Sequence, residues 1–188
     1  GSGSRLASPL GLGPAQPRFA AAVAVELEAP VLEPDTARFE FGLVRHGFCW
    51  AFPRRSGYSI GMGTFIGREA ADADAVLAQL LPSLGLPADA GRRVSSPLRV
   101  WDGHHPLHHP AGALVVGDAA SLCDPFLAEG LRPALLSGVR AAESLDRYLS
   151  GLAQADGDAA AGALAGYSRT MRLEWGESMA WGRRIAQV

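Results

Sequence analysis

The chain is short of the features that usually assign a class. It has only two cysteines, Cys49 and Cys123, in 188 residues. That is too few for a disulfide framework, so a reducing, cytoplasmic compartment is expected. No apolar run approaches the ~20 residues of a membrane-spanning helix, and no signal peptide is visible. A net charge of −2 gives no electrostatic footprint for nucleic acid. There is no internal repeat. No Cys pair and no His-Glu-x-x-His helix offers a zinc framework. The strand, Gly-x-Gly-x-x-Gly turn and helix that seat a dinucleotide phosphate are also missing. Gly61-Met62-Gly63-Thr64-Phe65-Ile66-Gly67 imitates that turn. No acid ends a second strand about 20 residues later, so these glycines read as close packing within a strand.

Apolar residues make up 48% of the chain, enough for a sizeable core. Residues 1–18 are rich in Pro, Gly and Ser and read as a connector. Strand patterns follow at Phe19–Leu27, Phe39–Val44, Phe48–Phe52 and Tyr58–Phe65, at hairpin spacing, predicting an antiparallel sheet. Val23, Val25 and Leu27 share one face of the first. Glu69 to Leu81 has helical periodicity, with Ala73, Val76, Leu77, Leu80 and Leu81 on one side and Pro82 as its end. Val94–Val100 reads as a strand in which Pro97 implies an edge position or a break. After Gly130, the spacing of Leu131, Leu135, Gly138, Ala142, Leu145 and Leu149 predicts a helix with that face inward and Gly138 allowing close approach to a sheet. A last helix from about Ala159 has Tyr167, Met171, Trp175 and Met179 on one side.

The most informative stretch is 113–138. Ala113 to Val116 is an apolar run, read as a short buried strand. It ends in the Gly117-Asp118 turn, which leads to Asp124-Pro125 and then to Glu129-Gly130 at the head of the next helix. A carboxylate and a helix N-terminus on one sheet edge form a place where α/β folds bind ligands. A hydroxyl-rich, electron-accepting cofactor suits it. Asp124 is expected to set the Pro125 turn, and Glu129 to interact with the helix N-terminus.

Gly117-Asp118-Ala119-Ala120, Asp124-Pro125, Glu129-Gly130-Leu131-Arg132-Pro133-Ala134 and Ser137-Gly138 resemble the second flavin motif of FAD-dependent oxidoreductases with the p-hydroxybenzoate hydroxylase fold. Among these the geranylgeranyl reductase family is the nearest in pattern. The resemblance implies FAD as cofactor, with Asp118 accepting a hydrogen bond from a ribityl hydroxyl and Pro125 beside the isoalloxazine ring. It also implies that Ala128, Glu129, Gly130 and Leu131 face the ring's pyrimidine edge. The family usually has Gly where Ala128 stands. A helix N-terminus there would stabilise negative charge on a reduced flavin. The implied fold class is α+β or α/β: an antiparallel substrate-binding sheet plus the last strand and helices of a Rossmann-like FAD domain. The expected division is 1–112 for the sheet region and 113–188 for the FAD-domain part. Gly1-Ser2-Gly3-Ser4-Arg5-Leu6 and Leu10-Gly11-Leu12 resemble an element inside such proteins. An N-terminal FAD-binding segment outside these residues is therefore expected as a partner. A linker reading of the first four residues stands beside this.

Gly47-Phe48-Cys49-Trp50-Ala51-Phe52-Pro53-Arg54 is a second constellation. Alternation puts Phe48, Trp50 and Phe52 on one face, as core packing or as a wall for an apolar ligand. In the same family this strand resembles the aromatic-x-Trp-x-Phe-Pro motif lining a prenyl-binding cavity. That implies substrate contact by Phe48, Trp50, Phe52 and Pro53, a small prenyl-type substrate and peripheral contact with a membrane. The implied reaction is hydride transfer from the flavin to a prenyl-chain alkene; no residue is assigned as proton donor. Arg54 and Arg55 read as solvated turn charges. His104, His105, His108 and His109 lie in a Pro-rich loop and read as exposed rather than metal-bound. Cys123 reads as a small buried apolar residue. Two other readings stay open: a flavin monooxygenase or halogenase of the same fold, and a non-catalytic apolar-ligand module.

Overall fold

The computed structural model describes residues 1–31, 33–65 and 72–187. Two expectations, Gly67 in the glycine series and a helix start at Glu69, lie outside them. The chain forms two compact units: Gly1–Phe19 with Leu98–Val188, and Ala20–Pro97. The expected division at residue 112 falls inside the first.

The second unit is built on an antiparallel sheet. Its strands are β1 (Arg18–Glu28), β2 (Arg38–Glu40), β3 (Gly47–Arg54), β4 (Gly57–Thr64) and β5 (Arg92–Val100), in the order β2-β3-β4-β1-β5. Register follows the alternation: Val25 pairs with Ile60 across β1 and β4, and Cys49 with Met62 across β3 and β4. Together with Ala51 these residues form one buried face. Helix α1 (Ala73–Ser83) packs Val76, Leu77, Leu80 and Leu81 into the same core. Asp72 caps it, its carboxylate accepting the N–H groups of Asp74 and Ala75 at 3.1 Å each. The helix runs through Pro82 to Ser83 instead of stopping at the proline. The strand expected over Phe39–Val44 is only three residues long, because Gly42 turns into the left-handed region at φ +95°. Pro97 lies on β5, which is an edge strand, where a missing N–H leaves no ladder bond unmet.

The first unit holds the helices α2 (Leu131–Ala153) and α3 (Gly157–Ala186) and the two-residue strands β6 (His108–His109) and β7 (Ala113–Leu114). Here α3 behaves as its pattern predicts. Tyr167, Met171, Trp175 and Met179 enter a core with Trp101, Leu107, Val115 and Leu122. The Tyr167 hydroxyl donates to the Val115 carbonyl at 2.8 Å, and burial raises its pKa. Two expectations are corrected in this unit. Ala113–Val116 is not a buried sheet strand: only Ala113 and Leu114 pair, antiparallel with β6, and Val116 is exposed. Gly117 at φ +54° ends the extended run.

The predicted inner face of α2 is also the wrong one. Leu131 is 74% exposed and Leu135 64%, while Ser137 and Ser144 are buried. The buried side is a row of small residues because α2 and α3 approach closely: a Cβ on Gly151 would lie 2.8 Å from the Ala160 nitrogen. Leucines do not fit that gap. Gly138 has nothing within 4 Å of a would-be Cβ, so it serves no close approach. No described helix is long and apolar enough to cross a membrane.

Candidate functional site

The segment between β7 and α2 is tied down link by link. Gly117–Ala120 forms a single 3-10 turn. Gly117 can sit there because it carries no side chain: its φ is positive, and a Cβ would lie 3.1 Å from that of Ala134. Its N–H donates to the buried Ser137 hydroxyl at 2.9 Å, and Ser137 donates in turn to the Ala134 carbonyl. The turn is thereby fixed to the first turns of α2. Asp124 organises the next loop, its Oδ1 accepting the N–H groups of Phe126 (2.8 Å) and Leu127 (2.6 Å). Backbone bonds from Asp124 N–H to the Glu129 carbonyl and from Ala128 N–H to the Asp124 carbonyl close it. Ala128 takes φ +55°. That conformation costs an L-residue about 1–2 kcal/mol, which is why a glycine is the easier occupant.

These links bring together a cleft of about 520 Å³ whose walls include Gly117, Asp118, Cys123, Ala128, Gly130 and Leu131. Asp118 is half-buried, and its carboxylate accepts no hydrogen bond among the described residues. Its Oδ1 lies 3.4 Å from where a Cβ of Gly130 would be, so the acid sits against the head of α2. The first N–H groups of a helix have no intrahelical acceptor. In α2, Arg132 N–H is taken by the Glu129 carboxylate at 2.8 Å, and Pro133 has no N–H. Gly130 and Leu131 are left, both in the cleft wall. One wall thus presents an acceptor and the other presents donors with partial positive charge.

Cys123 is buried, and its thiol is pushed up to about 12 by burial and then by Asp118, Asp124 and Glu129. It is protonated at neutral pH and is not a thiolate nucleophile. Pro125 and Glu129 are not among the residues walling the cleft. Pro125 is fully buried, 3.5 Å from where a Cβ of Gly182 on α3 would be. Glu129 is spent on the helix cap. Ser137 is the part of the site that sequence reasoning gave no role: it stands in the motif, but its hydrogen bond to Gly117 depends on the fold.

In the second unit, Phe48, Trp50 and Phe52 lie half-buried on the sheet face opposite the α1 core. Their rings form a row, with Phe48–Trp50 centroids 6.2 Å and Trp50–Phe52 centroids 6.3 Å apart. Phe39 joins it edge-on to Phe52 at 5.2 Å and is 51% exposed. Gly61 makes room for the Trp50 ring: a Cβ there would lie 2.3 Å from it. The β4 glycines are therefore packing glycines in a strand. Pro53 is half-buried at the end of β3, opposite Tyr58. Arg54 pairs with Glu26 at 2.6 Å.

The loop histidines have separate partners: His105 meets Asp102 (2.8 Å), His108 meets Ser168 (2.8 Å), and His109 accepts the Ala111 N–H (3.2 Å). Among the described residues no group of three or more His, Cys, Asp or Glu is placed to hold a metal ion.

No protein-family model matches the chain, and no characterised protein matches it in sequence. Solved structures do. A geranylgeranyl bacteriochlorophyll reductase-like protein from Thermoplasma acidophilum aligns at TM-score 0.75 and 19% identity, over 90% of this chain and 43% of its own. CmlS, a flavin-dependent halogenase, aligns at TM-score 0.55 and 20% identity, over 94% of this chain and 34% of its own. The chain has the fold of these parts of the two proteins and spans less than half the length of either.

Proposed function

We propose that the chain is the C-terminal portion of an FAD-dependent oxidoreductase that reduces prenyl-type double bonds. The observation that carries this reading is the Asp118 carboxylate, half-buried and without a partner, facing the two free N–H groups at the head of α2. That donor and acceptor set fits the ring and ribityl half of FAD. Asp118 would hold a ribityl hydroxyl, and the N–H groups of Gly130 and Leu131 would face a carbonyl at the ring edge. Bound in its reduced form, FAD would supply the hydride; the chain's residues would position the ring and offer the helix head to negative charge. The ring row of Phe48, Trp50 and Phe52, with Pro53, supports an apolar chain as substrate. No proton donor is assigned among the described residues.

The adenylate half would be held by an N-terminal segment outside these residues. The leucines that α2 leaves exposed, Leu131 and Leu135, support a partner surface beside the cleft.

Titration of the 188-residue protein with FAD, followed by flavin fluorescence, tests the site. Binding is expected to be weak, and Asp118→Ala should weaken it about tenfold or more, as for loss of a hydrogen bond to a charged group. Equal affinity in the variant would overturn the assignment. Product analysis with the whole reading frame tests the reaction: a saturated prenyl product is expected. Oxygen consumption with a hydroxylated or halogenated product would instead support the monooxygenase or halogenase reading.

A further inference from the structure

A second cavity, of about 370 Å³, lies in the first unit between the 101–108 loop and α3. The flavin reading does not use it. Its lining is unusual for a chain of net charge −2: three histidines and two arginines, set among apolar side chains that include Trp101 and Trp175. Arg169 and Arg172, on α3, have no ion pair or hydrogen bond among the described residues. The adjacent carboxylate, Asp102, is already engaged by His105 at 2.8 Å.

Local polar groups are ordered around this surplus of cations. Ser168 Oγ accepts the Leu107 N–H at 3.2 Å and lies 2.8 Å from His108 Nδ1. The pKa of His104 is lowered, first by burial, then by Arg172 and then by His105. The buried indole N–H of Trp175 has no acceptor among the described residues. The lining cations Arg169 and Arg172 thus have no carboxylate paired to them among the described residues.

We propose that this pocket binds a small organic anion, its acid group held by Arg169 and Arg172 and its flat apolar body lying against Trp101 and Trp175. A guanidinium pair suits a carboxylate or phosphate through bidentate bonds. The tryptophans supply apolar area that an inorganic ion would not use. The site is separate from the Asp118 cleft, and the inference does not rest on the flavin reading.

Isothermal titration with benzoate tests it. Binding is expected in the millimolar range or tighter. Benzamide, isosteric and uncharged, should bind at least about tenfold more weakly, and Arg169→Gln/Arg172→Gln should produce a similar loss, as for charge-assisted hydrogen bonds. Both arginines are exposed, so the double variant should keep its circular dichroism spectrum and melting temperature. Asp118→Ala should leave benzoate binding unchanged. Absence of binding up to about 20 mM, equal affinity for benzamide, indifference to the double arginine variant, or loss on Asp118→Ala would each overturn the proposal.

Discussion

The two long helices of the first unit are both amphipathic, yet they use their patterns in opposite ways. Helix α3 buries the stripe Tyr167, Met171, Trp175 and Met179, which could be read directly. Helix α2 buries Ser137, Ala141 and Ser144 and turns Leu131, Leu135 and Leu149 outward. Periodicity identifies a face but not its partner. The partner of α3 is a core within the unit. Backbone proximity to α3 takes the small-residue side of α2, and its leucines face away. The same choice orients the head of α2: Ser137, on the buried side, fixes Gly117, and the free N–H groups of Gly130 and Leu131 face the cleft beside Asp118.

The contrast can be broken most decisively by truncating one leucine on each helix. Leu164→Ala on α3 removes a fully buried side chain and should cost about 2–5 kcal/mol. Leu135→Ala on α2 should change stability by no more than about 0.5 kcal/mol. Urea unfolding of the two variants measures both; similar losses would mean that α2 is packed through its leucines after all.

Two glycines of α2 sharpen the comparison on a smaller scale. Gly151→Ala drives a methyl to within 2.8 Å of the Ala160 nitrogen and should destabilise by about 1–3 kcal/mol. Gly138→Ala meets nothing within 4 Å and should stabilise by about 0.5–1 kcal/mol through helix propensity alone. Opposite signs in thermal melts are the expected result. An effect of similar size is expected at the loop leading into α2. Ala128→Gly relieves a positive φ and should raise stability by about 0.5–1 kcal/mol, the left-handed penalty less glycine's added chain entropy.

The sheet was legible because hairpin turns and alternation are local. Pro97 left an edge position or a break for β5, and the sheet order places it at an edge. The order Gly117-Asp118, Asp124-Pro125, Glu129-Gly130 was legible for the same reason: each residue acts within a few positions of itself, as the Asp124 turn and the Glu129 cap do. What could not be read depends on distant chain. Ala113–Val116 looks like a buried strand by composition, but its length is set by the hairpin with His108–His109. The histidine loop was recognisable as a loop, whereas the pocket it forms needs Ser168, Arg169 and Arg172 from some 60 residues away in sequence.

The central claim is that Asp118 and the head of α2 hold the ring and ribityl half of a flavin. The most direct measurement is amide NMR of the 15N-labelled protein titrated with FMN, which carries that half without the adenylate. The account predicts saturable shifts at Gly117, Asp118, Gly130 and Leu131, and their loss in Asp118→Ala. Shifts confined to other residues, or none at millimolar FMN, would contradict it.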